Sequence, residues 1–147
     1  VEEVISEAVE RIRKRIPDAN ITVYTPDDIL IVPMDGVLIE QVIINLLENA
    51  IIHSESTAPV ELFVTEEADF IVFHVKDYGK GISPDRLDHI FDMNTTNTSS
   101  DSHKGIGIGL SICKTIITAH NGTIFACNHK HGAEFTFKLP KEAIDES

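Results

Sequence analysis

Two glycine clusters, separated by a polar stretch, constrain this chain more than any other feature of its sequence. The first cluster spans Asp77–Gly81 and the second spans Gly105–Leu110. Glycines at such spacing let the backbone approach a ligand that a Cβ atom would hold away. The second cluster runs directly into a helical pattern, and the free N–H groups and dipole of a helix N-terminus favour an anion such as phosphate. The two clusters together predict a nucleotide site.

The two commonest glycine-rich nucleotide motifs do not fit this chain. A dinucleotide-binding site needs a strand immediately before its glycines. Here residues 99–104 read Ser-Ser-Asp-Ser-His-Lys, which is no strand. A P-loop needs a Gly-Lys-Ser/Thr sequence, which the chain lacks. The nucleotide site must therefore belong to a different fold.

Composition sets broad limits on the partners of the chain. Its 147 residues fit one domain, 1–147, with a single core. The net charge of −12 argues against nucleic acid or an anionic membrane as a ligand. No apolar run approaches the length that a membrane-spanning helix needs. The acidic start Val1–Glu3 does not fit the basic start of a signal peptide, and the initial valine suggests a fragment of a longer protein. Cys113 and Cys127 lack metal-ligand spacing and are interpreted as reduced thiols.

Hydrophobic periodicity predicts an alternation of helices and hairpins. Because hairpins outnumber strand–helix–strand units, we expect an α+β fold with one mixed, mostly antiparallel sheet and the helices on one face. We expect helices at about residues 1–16, 36–53, 83–91 and 107–120, strands at 21–24, 29–32, 60–65, 70–76, 123–128 and 134–139, and a mobile loop over 94–104.

The predicted helix over 36–53 carries a pair of asparagines. Asp35 is its expected N-cap, and Asn45 and Asn49 share one face because they lie one turn apart. Mg²⁺ prefers hard oxygen ligands and keeps waters while it bridges phosphates. Two amide oxygens would serve it without adding charge repulsion.

In this order, the asparagine helix, the Asp-x-Gly-x-Gly cluster and the Gly-x-Gly-x-Gly cluster resemble the catalytic ATP-binding domain of sensor histidine kinases. That family belongs to the superfamily of gyrase, heat-shock chaperones, histidine kinases and MutL. The resemblance covers nearly the whole chain and is strongest to the potassium-responsive KdpD type. It implies a two-layer α/β sandwich of the Bergerat type, with ATP and Mg²⁺ as cofactors.

The resemblance also implies a function and its partners. The domain would donate the γ-phosphoryl group of ATP to a histidine on a separate dimerisation and phosphoacceptor domain, and a response regulator would act downstream. The whole protein would be a homodimer, and this domain would be the cytoplasmic part of a membrane-bound bacterial sensor. No nucleic acid and no direct membrane contact are expected for it.

The resemblance assigns roles to individual residues. Asn49 would be the principal Mg²⁺ ligand with Asn45 beside it, and Asp77 would accept a hydrogen bond from the adenine amine. Where ATP-hydrolysing relatives carry a glutamate as general base, Asn45 has an amide, which implies transfer rather than hydrolysis. The residues expected at the nucleotide are Asp77, Gly79, Gly81, Ile82, Phe91, Lys104, Gly105, Gly107, Gly109, Leu110 and Thr136.

The chain departs from the family pattern at its basic residues. Ile52 and His53 stand where the family has Lys and Tyr, and the phenylalanine box keeps 90–92 but not 93–96. Two basic phosphate contacts are therefore missing, and we expect Lys104 or His103 to replace them, with Lys80 less well placed.

Two other functions fit parts of the sequence. A serine kinase of the anti-sigma-factor type is favoured by the run Asn49–His53, but those proteins carry the glutamate that Asn45 replaces. A non-enzymatic module with a degenerate site is favoured by the missing basic residues. An ATP titration with and without Mg²⁺ separates the module from both kinases.

Overall fold

The computed structural model describes residues 2–17, 19–24, 34–54, 59–79, 81–83, 90–91, 104–129 and 132–141. Within them lie three helices and five strands. The helices are α1 (Glu2–Arg15), α2 (Gly36–Ser54) and α3 (Lys104–Ala119), and the strands are β1 (Ile21–Tyr24), β2 (Val60–Glu66), β3 (Phe70–Lys76), β4 (Thr123–His129) and β5 (Gly132–Pro140). The predicted strand at 29–32, nearly all of the predicted helix at 83–91 and the loop before Lys104 lie outside the described residues.

The strands form one sheet in the order β1-β2-β3-β5-β4. β1 runs parallel to β2, and the other neighbouring strands are antiparallel. The antiparallel pairs β2–β3 and β4–β5 are hairpins, as the closely spaced alternating segments predict. The expected mixed, mostly antiparallel sheet is confirmed.

The core lies between one face of the sheet and the helices. Phe73 of β3 stands directly opposite Phe137 of β5, and their rings stack with centroids 4.5 Å apart. Fully buried residues of all three helices, Ile12, Ile43 and Ile117, belong to the same cluster. Each such side chain contributes about 1.5–3 kcal/mol through burial. The expected two-layer α+β arrangement is confirmed.

The ends of the two long helices follow their local sequence. The Oδ1 atom of Asp35 accepts the N–H groups of Val37 and Leu38 at 3.1 and 3.2 Å, so its predicted N-cap role is confirmed. At the end of α3, Asn121 adopts a φ of 63° and the Gly122 N–H donates to the carbonyl oxygen of Ile117 at 2.9 Å. This left-handed residue and the glycine after it end the helix.

The start of α3 differs from the prediction. The sequence suggested a start at about Gly107, after a loop that included Lys104, but the helix begins at Lys104. Glycine in a helix costs only about 1 kcal/mol relative to alanine, so it weakens a helix without forbidding it. The glycines of the second cluster therefore form the first turns of α3 instead of a loop before it.

No helix in the described part of the chain is both long and apolar enough to span a membrane.

Candidate nucleotide-binding site

Asn45 lies where α2 packs against α3, and Asn49 lies one turn further along the same face of α2. Asn49 is 6 % exposed, and Asn45 is half-buried. The Oδ1 atom of Asn45 accepts a hydrogen bond from Gln41 Nε2 at 3.0 Å, and its Nδ2 donates to the Sγ atom of Cys113 at 3.7 Å. Neighbours on both helices thus fix the orientation of the Asn45 amide.

Cys113 is a structural thiol at this contact. Its Sγ–H donates to the carbonyl oxygen of Val42 at 3.9 Å, and the residue is fully buried. Burial raises the pKa of Cys113 to about 12, against a smaller opposing effect of the Asn45 hydrogen bond. The thiol is therefore neutral and unreactive at physiological pH.

The two cysteines are expected to differ in reactivity. At about pH 8, iodoacetamide should alkylate the exposed Cys127 of the native protein and leave Cys113 unmodified, because only thiolates react and Cys113 is buried. Burial and the charge of Glu134 raise the pKa of Cys127, so its reaction should be slower than that of a free cysteine. Intact-mass spectrometry, with a Cys127→Ser control, would measure one modification in buffer and two in denaturant. Rapid modification of native Cys113 would contradict this packing.

Contacts between α2 and α3 define their register. The Asp35 N–H donates to His120 Nε2 at 3.0 Å. Seven residues after Asp35, Val42 contacts Cys113, which lies seven residues before His120. The helices are therefore antiparallel. A further step of seven residues pairs Asn49 with position 106, between Gly105 and Gly107. By this extrapolation, we expect the buried Asn49 to lie near the first turn of α3.

His120 directly follows α3 and contacts both this helix and the N-cap of α2. Its Nδ1–H donates to the carbonyl oxygen of Ile116 at 2.8 Å, which leaves Nε2 to accept the Asp35 N–H. The imidazole thereby joins the C-terminal end of α3 to the N-terminal end of α2. A contact across 85 residues has no local sequence signal, so sequence reasoning could not find it.

Asp77 occupies the end of β3 and is 4 % exposed. Its Oδ1 atom accepts the N–H groups of Gly79 and Ala133 at 3.0 and 3.1 Å, and its own N–H donates to the Ala133 carbonyl at 2.9 Å. A Cβ atom on Gly132 would lie 2.3 Å from the Asp77 carbonyl oxygen, so only glycine fits beside it. The carboxylate is held rigidly at the edge of the core.

The loop after Asp77 is held from two directions. Asn128 of β4 accepts the Ile82 N–H through Oδ1 at 2.8 Å and donates from Nδ2 to the Ile82 carbonyl at 2.7 Å. At the start of the loop, Tyr78 donates its hydroxyl hydrogen to Glu61 Oε1 of β2 at 2.6 Å. This hydrogen bond, followed by burial, raises the pKa of Tyr78 to about 12. Sequence reasoning missed Asn128, because an asparagine near a hairpin is ordinarily a turn residue.

The strand register separates Thr136 from the rest of the proposed site. Thr136 pairs with His74 and Phe125, whereas Phe135 and Phe137 on either side of it face the helices. Successive side chains alternate between faces, so Thr136 lies on the face away from the helices and donates there to Glu134. Asp77 continues the helix-facing row and stands beside Ala133. Thr136 therefore lies on the opposite face of the sheet from Asp77, and Ala133 is the β5 residue beside Asp77.

The remaining predicted residues fall into two groups. Phe91 lies near the helix-facing side of β5 and contacts Phe135 edge-to-face at 6.2 Å, and Leu110 is buried in α3. Gly79, Gly81 and Ile82 form the loop described above, and Gly105, Gly107 and Gly109 lie in the first turns of α3. Lys104 begins α3, but its side chain, like those of Ile52 and His53, lies outside the described atoms, as do Lys80 and His103.

Comparison with known proteins decides the family. Residues 34–143 match the family described as histidine kinase-, DNA gyrase B- and HSP90-like ATPases. The chain belongs to this family. It is 50 % identical over 145 residues to the sensor protein KdpD of Clostridium acetobutylicum, covering 97 % of this chain and 16 % of that protein. It is 32 % identical over 147 residues to the KdpD of Escherichia coli K12, covering 99 % of this chain and 16 % of that protein.

Solved structures agree with the sequence relatives. The nucleotide-free catalytic domain of the histidine kinase ThkA superposes with a TM-score of 0.82 at 27 % identity, covering 97 % of this chain and 93 % of that one. The resemblance to histidine kinases and to the KdpD type is confirmed, and the chain is an ATP-binding catalytic domain of the sensor-kinase type. It spans 16 % of the length of either KdpD relative, so each of those proteins contains other regions.

Proposed function

We propose that this chain, as a single domain over 1–147, binds Mg-ATP and donates the γ-phosphoryl group to a histidine on the phosphoacceptor domain of its own sensor kinase. The observation that supports this proposal is the antiparallel contact of α2 with α3. Continued by seven residues, this register would bring the buried Asn49 near the glycine-rich first turn of α3. An amide oxygen and the N-terminal N–H groups of a helix would then lie close enough to hold a metal ion and phosphates together.

The donor set fits the two expected cofactors. Asn49 supplies a neutral hard oxygen for Mg²⁺, which when bound neutralises phosphate charge in a chain whose own net charge is −12. The free backbone N–H groups in the first turn of α3, which includes Gly105, would bind the phosphates. The rigid carboxylate of Asp77 accepts a hydrogen bond from the adenine amine, which selects adenine over guanine.

Phosphoryl transfer is favoured over hydrolysis by the groups on α2. The Asn45 amide cannot take a proton from water, and Gln41 and Cys113 hold it in place. Glu48, the carboxylate nearest in sequence, is paired with Arg15 of α1 and so faces away from α3. The acceptor histidine therefore acts as the nucleophile, and this domain positions the nucleotide for it.

The partners follow from this reaction. The phosphoacceptor histidine lies on the dimerisation domain of the complete homodimeric sensor, and a response regulator takes the phosphoryl group from it. We place this domain on the cytoplasmic side of a membrane-bound bacterial sensor, where ATP is available.

Calorimetry with a non-hydrolysable ATP analogue tests nucleotide binding. We expect a Kd in the micromolar-to-millimolar range, about −8 to −4 kcal/mol, with weaker binding in EDTA. The affinity should be weak because Ile52 and Thr96 stand where the family has basic residues that contact phosphate. An absence of heat and of competition at millimolar nucleotide would favour a non-enzymatic module over either kinase.

Asn45→Glu is expected to give the chain ATPase activity. The change places a carboxylate where a general base could activate water, while the unmodified chain should show negligible ATPase activity. Phosphate release would be measured for both proteins, with Gln41→Ala as a control that perturbs the same hydrogen bond without adding a base. Robust ATP turnover by the unmodified chain would contradict the role given to Asn45.

A further inference from the structure

We propose that Asn128 is a positioning residue for adenine recognition, and that it acts by clamping the loop that follows Asp77. This inference rests on the proposed function and adds to it a residue outside the asparagine helix and both glycine clusters. Asn128 lies on β4, 46 residues from the loop residue that it contacts.

The clamp consists of two hydrogen bonds to one residue. Asn128 accepts the Ile82 N–H at 2.8 Å and donates to the Ile82 carbonyl at 2.7 Å. The side-chain amide thereby satisfies the same donor and acceptor that a neighbouring strand would satisfy. Ile82 is held as though it belonged to the sheet, although it lies in an irregular segment.

Two directly opposed residues, one on β4 and one on β5, contact the segment after β3 at two points. Asn128 stands directly opposite Ala133, whose carbonyl oxygen accepts the Asp77 N–H and whose own N–H donates to Asp77 Oδ1. Side chains of directly opposed residues share a face, so Asn128 lies on the helix-facing side with Asp77. The β4–β5 hairpin thus holds the segment after β3 at two described points, Asp77 and Ile82.

Gly81 supports this arrangement independently. It adopts a φ of +79°, and a Cβ atom on it would lie 2.9 Å from Asn128 Oδ1. The glycine therefore allows both the turn and the close approach of the clamp. This accounts for Gly81 through contacts within the chain, apart from any contact with a ligand.

Only an amide can make both bonds. In Asn128→Asp the side chain keeps its size and can still accept the Ile82 N–H, but its second oxygen would oppose the Ile82 carbonyl. Asn128→Ala loses both bonds. Cys127→Ala is the matched control, since Cys127 is an exposed neighbour on β4 that pairs with Glu134 and faces away from the helices.

The test measures Kd values for ATP and GTP analogues, with Mg²⁺ and with EDTA, for the four proteins at a temperature where circular dichroism shows each to be folded. We expect the ATP-to-GTP preference to fall about tenfold in both Asn128 variants, since one lost hydrogen bond of ordinary strength is worth about this much. The dependence of ATP affinity on Mg²⁺ should stay unchanged in both Asn128 variants. In Cys127→Ala, the ATP-to-GTP preference and the Mg²⁺ dependence should both equal those of the wild type. Hydrogen exchange at the Ile82 amide should accelerate in Asn128→Ala only.

The outcomes separate this inference from the function on which it rests. A wild-type protein that binds neither analogue overturns the proposed function itself. A wild-type protein that prefers ATP, with an Asn128→Asp variant of equal preference, overturns the clamp and leaves the function standing. Equal loss of ATP and GTP affinity in both variants would show general loop damage and would also overturn the positioning role.

Discussion

Asp77→Asn is expected to remove the preference for ATP over GTP and to leave the fold intact. A hydrogen bond to a charged group contributes about 1.5–3 kcal/mol, so the loss in ATP affinity should be about tenfold to hundredfold. The fold should survive because the asparagine Oδ1 can still accept the N–H groups of Gly79 and Ala133. The substituted NH₂ group would then face the adenine amine as a second donor.

Competition titrations with ATP and GTP, read beside thermal unfolding, measure both parts of this prediction. Asp77→Ala is the matched control: it removes the acceptor for two backbone donors, and a buried unsatisfied donor costs about 1–3 kcal/mol. It should therefore lose stability as well as selectivity. An Asp77→Asn protein with wild-type preference for ATP would show that another group reads the base.

Asn49→Ala is expected to abolish the contribution of Mg²⁺ to nucleotide binding. The variant removes the buried amide oxygen that we propose as the principal Mg²⁺ ligand. Its Kd for ATP should be the same in Mg²⁺ and in EDTA. Phosphoryl transfer depends on neutralised phosphate charge and should fall at least about a hundredfold, or about 2.7 kcal/mol of barrier.

Glu48→Gln is the matched control for this experiment. It lies beside Asn49 on α2 but pairs with Arg15, and exposed ion pairs contribute little to stability, about 0–1 kcal/mol. It should keep both Mg²⁺ dependence and transfer. If Asn49→Ala still bound ATP more tightly with Mg²⁺ than with EDTA, Asn49 would not be the principal Mg²⁺ ligand.

The elements that were predictable from the sequence are those specified by local pattern. α2 and its Asp35 cap follow from apolar spacing and one capping residue, and the two hairpins follow from alternation. The asparagine pair and the glycine clusters could also be predicted as a candidate site, since their chemistry is carried by residue type and spacing.

What could not be predicted depends on the register between distant segments. The face of Thr136 is set by its pairing with His74 and Phe125, and Asn128 reaches Ile82 only after β4 pairs with β5. Neither relation leaves a periodic signal in the chain. The early start of α3 at Lys104 was missed for a different reason, because glycine lowers helix propensity without excluding a helix.

The most direct test of the account is phosphoryl transfer in trans. The chain would be mixed with the phosphoacceptor domain of its complete protein, Mg²⁺ and ATP labelled at the γ-phosphate. We predict label on the acceptor domain in an acid-labile, base-stable form, as phosphohistidine requires, and its loss when the acceptor histidine is replaced. Acid-stable label would instead indicate a serine kinase. No transfer by a chain that binds Mg-ATP under the same conditions would contradict the kinase function.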